Sequence, residues 1–226
     1  MASNVVVSVV NVDLTFRGVS ASTFTSAGVS FGCLLGFNTG SGSVTLQDDI
    51  VVSHPTASCS MTNGTLYLND HKLNLLYFVV GGTSNPALTL DFGTSGELIL
   101  NRTAGTVLQV QTTNATFPGS GTITFAGSSS SAKTFQSLGL TYPNITINSG
   151  VDNLTITSSG NTFSCKTLTI SNAGGTNGTK FTAGQTYTVT GLSATGTAGN
   201  LIKLVSTSSG TAFTLSKSSG TVTCDY

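Results

Sequence analysis

The stretch Asn144-Ile145-Thr146-Ile147-Asn148-Ser149-Gly150-Val151-Asp152-Asn153-Leu154-Thr155-Ile156 decides the fold. It holds two apolar–polar–apolar triplets, Ile145-Thr146-Ile147 and Leu154-Thr155-Ile156, joined by a polar run with a glycine in it. Successive side chains of a β-strand point to opposite faces, so the outer residues of each triplet turn inward and the central threonine outward. The glycine-containing run between them has the chemistry of a turn.

The same pattern recurs along the chain. Val44-Thr45-Leu46, Leu66-Tyr67-Leu68, Leu88-Thr89-Leu90, Ile123-Thr124-Phe125, Leu168-Thr169-Ile170, Tyr187-Thr188-Val189 and Phe213-Thr214-Leu215 all read this way. Leu98-Ile99-Leu100 is apolar throughout and predicts a strand buried on both faces. Helical spacing of apolar residues is missing, whereas β-branched and aromatic residues are abundant, and Gly occurs 27 times.

The spacing of the triplets points to stacked rungs. Val44, Leu66 and Leu88 fall at equal steps of about 22 residues, and Ile123 and Ile145 repeat that step; shorter steps of about ten lie within it. One rung cannot bury its apolar face alone, and stacking completes both the core and the backbone hydrogen bonds. The expected fold is therefore all-β, a β-solenoid or β-helix-like stack of short strands. After Ile145 the step blurs, and a β-sandwich or jelly roll is the alternative that short strands with glycine-rich turns also fit.

Residues 1–40 differ from the rest. Val5, Val7 and Val9 alternate in one phase and Val10, Val12 and Leu14 in the other, which predicts a bulge or two strands. Phe16, Phe24, Phe31 and Phe37 follow among Gly and Ser. The expected organisation is an N-terminal cap or attachment segment over 1–40 and a β-repeat domain over 41–226.

Composition narrows the function. Hydrophobic residues make up 38% of the 226 residues and mean hydropathy is +0.25, enough for a core. Charged residues are only 7%, against roughly 25% in an average soluble domain. The polar surface must then come from Ser, Thr, Asn and Gly, which suits an extracellular or self-packing protein better than a metabolic enzyme. Eight basic and eight acidic residues give a formal net charge of +0, too few and too balanced to build a nucleic-acid-binding patch. No apolar run is long enough to span a membrane as a helix, and residues 1–13 lack the pattern of a secretory signal. Cys33, Cys59, Cys165 and Cys224 form no Cys-x-x-Cys pair; they read as buried thiols, with three disulfide connectivities open if they pair.

Chemistry-bearing residues are few. Gly28-Val29-Ser30-Phe31-Gly32 matches a nucleophile-elbow spacing, but no helical pattern follows Ser30, and His54 and His71 read as turn residues. Asp48-Asp49 is too thin for a calcium loop. Polysaccharide cleavage needs two carboxylates; Asp91 and Glu97 flank one turn and make the best pair, but no Trp is present to form a sugar platform. Asn63, Asn101, Asn114, Asn144, Asn153 and Asn177 head Asn-x-Ser/Thr triplets, which chance accounts for in so Asn- and Thr-rich a chain. No catalytic, cofactor-binding or metal-binding residue is assigned, and no cofactor is expected.

From about Leu66 onward the text resembles a diffuse family of Thr/Gly-rich β-repeat structural proteins of tailed-phage virions and environmental bacterial surface proteins. The resemblance rests on residues 134–147, on Gly160-Asn161-Thr162-Phe163-Ser164-Cys165-Lys166-Thr167-Leu168-Thr169-Ile170, and most of all on Lys180-Phe181-Thr182-Ala183-Gly184-Gln185-Thr186-Tyr187-Thr188-Val189-Thr190-Gly191-Leu192. It covers about two thirds of the chain and is specific for repeat style rather than activity. It implies a non-enzymatic virion structural protein, such as a capsid decoration, head fibre or tail-fibre module, located in the virion. The alternative is an extracellular bacterial adhesin or filament subunit at the cell surface. The expected partners are copies of the chain itself, as trimers or larger assemblies, and other virion proteins, with no nucleic acid and no membrane.

Overall fold

In the computed structural model the described residues are 13–54, 58–82, 86–160, 162–217 and 219, with the backbone of 222–225. The alternation expected over residues 5–12 lies outside them. The chain forms a parallel β-solenoid of about eight turns with no helix among the described residues.

The first coil is β1 (Leu14–Arg17), β2 (Ala21–Phe24) and β3 (Ser30–Phe31). Then come β4 (Leu35–Leu46) and β5 (Ile50–Val52), β6 (Ser58–Tyr67) and β7 (Lys72–Leu75). The middle coils are β8 (Tyr77–Val80), β9 (Leu88–Asp91) and β10 (Glu97–Leu100), followed by β11 (Gly105–Val110), β12 (Ala115–Thr116) and β13 (Thr122–Phe125). Next are β14 (Lys133–Gln136), β15 (Thr141–Tyr142) and β16 (Asn144–Ile147), then β17 (Leu154–Thr157) and β18 (Phe163–Ile170). The last coils are β19 (Thr179–Phe181) and β20 (Thr186–Thr195), then β21 (Leu204–Ser206), β22 (Thr214–Lys217) and β23 (Val222–Asp225).

Each coil has three short sides. Where only two strands are present, one of them turns a corner and serves two sides. β4 pairs with both β1 and β2, β6 with β8 and β9, β18 with β15 and β16, and β20 with β22 and β23. Glycine makes the β6 corner possible. Gly64 has φ +87°, and a Cβ there would collide with Thr39 Oγ1 and lie 2.9 Å from the Gly42 carbonyl.

Register gives the core. Leu73, Leu98, Ile123, Ile145, Leu168 and Leu192 align rung upon rung along the third side. Leu73 through Leu168 of this column are fully buried, and Leu192 is partly buried. The central residues of the triplets point outward as the alternation predicts. Ile99 does so too: it is half-buried between Asn74 and Thr124, so Leu98-Ile99-Leu100 alternates like its neighbours and is not buried on both faces.

The rung length also differs from the sequence expectation. Val44 pairs with Leu66 and Ile123 with Ile145, at the expected 22 residues, but Leu66 pairs with Leu90, not Leu88. Beyond Ile145 the period does not fade: Ile145 pairs with Leu168 and Leu168 with Leu192, steps of 23 and 24. The blur came from comparing triplets on different sides of the coil, since Leu154 lies on the first side and Leu168 on the third. Parallel stacking along the whole described chain excludes the sandwich and jelly roll. β4 runs through residue 40, and Phe16, Phe24 and Phe31 of the first coil make one aromatic cluster with Phe37 of the second, with ring centroids 4.8–5.5 Å apart.

Candidate functional site

The residues with potential chemistry sit at the corners of the coil, where the chain leaves a strand. The leading carboxylate pair does not converge. Asp91 ends β9 on the second side, in register with Tyr67, and its Oδ1 accepts a hydrogen bond from Gly93 N at 2.8 Å. Glu97 opens β10 on the third side. There it takes the Thr124 hydroxyl at 2.6 Å and an ion pair from Lys72 at 3.4 Å. The two carboxylates project from different sides of one corner.

The other candidates are equally dispersed. Ser30 is exposed at the start of β3 and pairs with Val51; the chain continues from there into β4, with no helix behind the serine. His54 follows β5, half-buried. His71 Nδ1 lies 3.7 Å from Asp49 Oδ1, which also accepts from Lys72 N. Cys33, Cys59 and Cys165 are buried free thiols, and burial pushes the thiols of Cys59 and Cys165 up to about 12, far from the reactive thiolate range. The Cys224 side chain lies outside the described residues. No group of three or more His, Cys, Asp or Glu side chains among the described residues could hold a metal ion, and no helix among them is long and apolar enough to cross a membrane.

The turn acids instead bind neighbouring turns, an ordered role that the sequence reading missed. Asp48 reaches back one coil to Ser26 N (2.8 Å), Ser26 Oγ (2.9 Å) and Ala27 N (2.7 Å). Asp70 reaches forward one coil to Thr94 N (2.6 Å) and Ser95 N (2.8 Å), and these N–H donors hold its carboxyl below the usual range. Asp152, 7% exposed, accepts from Gly178 N (2.6 Å), Asn177 N (3.1 Å), Asn177 Nδ2 (3.0 Å) and Thr176 Oγ1 (3.2 Å). Burial alone would raise its pKa, but these bonds outweigh it and lower the carboxyl to about 2. The signal was legible in Gln47-Asp48-Asp49, Asn69-Asp70 and Val151-Asp152-Asn153, each just past or just before a strand core.

Lys133 was also missed. It is 1% exposed, and its ammonium donates to the carbonyls of Ser129 (2.6 Å) and Ser131 (3.0 Å). Desolvation lowers its pKa, and the charge of Asp152 works in the opposite direction.

Four of the six candidate glycosylation asparagines spend their amide N–H groups on the stack. Asn101 Nδ2 donates to Asn74 Oδ1 and Leu75 O, Asn144 Nδ2 to Ser120 O and Gly121 O, Asn153 Nδ2 to Ser130 O, and Asn177 Nδ2 to Asp152. A glycan on any of them would break a bond between coils.

The outer faces carry uncharged hydroxyls in rows. On the second side Ser43, Thr65, Thr89 and Thr116 align in one row, and Thr141, Ser164, Thr188 and Ser216 in another. Thr89 and Thr116 hydroxyls bond at 3.0 Å, and those of Thr141 and Ser164 at 2.8 Å. The described polar chemistry thus joins one rung to the next. No protein-family model matches the chain, and no curated protein or solved structure matches it.

Proposed function

We propose that the chain is a non-enzymatic structural module of a virion, a capsid decoration, head fibre or tail-fibre element, that works by self-association and by contact with other particle proteins. The observation that carries this reading is where the polar side chains go. Asp48, Asp70, Asp152 and the asparagine amides bond coil to coil, and the leading carboxylate pair points to different sides of a corner. Such an investment favours a stiff, chemically inert rod. The Thr/Gly repeat style supports the virion setting.

Immunogold electron microscopy tests the setting. Antibody raised to this chain should decorate tailed-phage particles; label confined to bacterial envelopes would replace the virion reading with the adhesin one. A polysaccharide-clearing assay tests the absence of catalysis. Clearing by the native chain that is lost in Asp91→Asn/Glu97→Gln would overturn it.

A further inference from the structure

In a coil that advances one rung per turn, order along the chain is order along the axis. The balanced total charge therefore hides an axial separation. Residues 1–100 hold six acidic residues, Asp13, Asp48, Asp49, Asp70, Asp91 and Glu97, against Arg17 and Lys72. Residues 101–226 hold six basic residues, Arg102, Lys133, Lys166, Lys180, Lys203 and Lys217, against Asp152 and Asp225. The two parts carry four net negative and four net positive charges.

Among the described residues the two ends of the stack are also incomplete in the same way. Among the described residues β1, β2 and β3 pair along one edge only, and so do β21, β22 and β23. Leu14 and Phe16 at one end are half-buried, whereas their partners one coil inward, Leu35 and Phe37, are 1% exposed. At the other end Leu204 and Leu215 are half-buried over Thr179 and Tyr187, both 0% exposed. Phe213 is likewise half-buried, stacked on Phe181 with centroids 4.6 Å apart.

Strand edges left open in this way are templates for further pairing. Because the strands run parallel, a first coil laid on a last coil continues the ladder with the same polarity. Two first coils can meet only antiparallel, and that contact joins two net-negative halves. We propose that a second copy of this chain is the occupant of these ends, stacked head to tail. The end of the acidic half of one copy seats on the end of the basic half of the next, with β1 beside β21, β2 beside β22 and β3 beside β23. The first coil brings Asp13 and Arg17 to the junction, with Asp48 and Asp49 one rung, about 5 Å, further in, and the other side brings Lys203, Lys217 and Asp225. The contact is heterologous and does not close, so the product is an axial filament. This inference rests on the structural-module reading and names its partner.

Sedimentation velocity on the whole chain, from micromolar to millimolar, is the first measurement. The average mass should rise in multiples of 22.9 kDa, and association should weaken several-fold between about 50 mM and about 500 mM salt, because exposed charge pairs are screened. Lys203→Glu/Lys217→Glu should remove the association. Orientation is read separately in a Cys224→Ser background, from chains carrying either Thr15→Cys or Val205→Cys. Both positions face outward on the first side, on β1 and β21. Oxidation of the mixture should give the mixed disulfide, and neither chain alone should cross-link. A monomer at every concentration, or homodisulfides within one variant, would overturn the head-to-tail contact. Neither result touches the non-enzymatic reading, which the particle labelling and clearing assays test by themselves.

Discussion

At the scale of single residues, Asp152 shows how so few charges matter. Its carboxylate takes hydrogen bonds from four donor groups of the next turn, two of them backbone N–H groups. Asp152→Asn should cost about 1.5–3 kcal/mol, the range for a hydrogen bond to a charged group, read as a lower urea midpoint at neutral pH. The sign of the pH dependence follows from its lowered pKa. The carboxylate contributes fully above the ordinary carboxyl value near 3.8 and loses its contribution as pH falls toward about 2. The difference between wild type and Asp152→Asn should therefore shrink between about pH 4 and about pH 2. A constant difference across that range would mean that the charge of Asp152 is not what binds the turn. Asp48 and Asp70 share the direction of shift, so acid should weaken several corners together.

At the scale of the strand, alternation and corner glycine set the costs. Ile145 is fully buried in its column while Thr146 beside it faces outward, half-buried. Ile145→Ala should cost about 2–5 kcal/mol through lost burial and a cavity. Thr146→Ala should stay within about 0.5 kcal/mol, and equal effects would contradict the facing. Corners behave differently, because rungs touch there without side chains between them. A Cβ on Gly121 would collide with the carbonyl of Gly96 and come within 2.9 Å of Phe92 Cβ. Gly121→Ala should lower stability by about 1–3 kcal/mol, whereas Gly82→Ala, whose nearest contact would be 3.9 Å, should be nearly neutral. The triplets were legible in the text because a period of two survives any loop length. The pairing of Leu66 with Leu90 was not, because register is set by how corner residues pack, and that leaves no mark on the spacing of Leu88.

At the scale of the whole molecule the stack behaves as a line of coupled rungs. A rung in the middle has two neighbours and an end rung one, so opening should begin at the ends. Hydrogen exchange should be slowest in β10, β13 and β16 and fastest in β1 to β3 and β21 to β22; uniform protection would mean that the ends are covered, as the head-to-tail contact requires at high concentration. The all-β character and the inward and outward faces of each triplet were legible in the sequence alone, because a period-two pattern with glycine turns leaves no helical way to bury its apolar residues; the 22-residue steps favoured stacked rungs and left a sandwich as the alternative. The choice of a parallel stack over a sandwich, the three sides of the coil, the continuation of the period past Ile145 and the binding of the neighbouring rung by turn acids such as Asp152 came from the three-dimensional structure. Those depend on contacts between residues some 20 to 30 positions apart, set by the winding of the chain rather than by its local text.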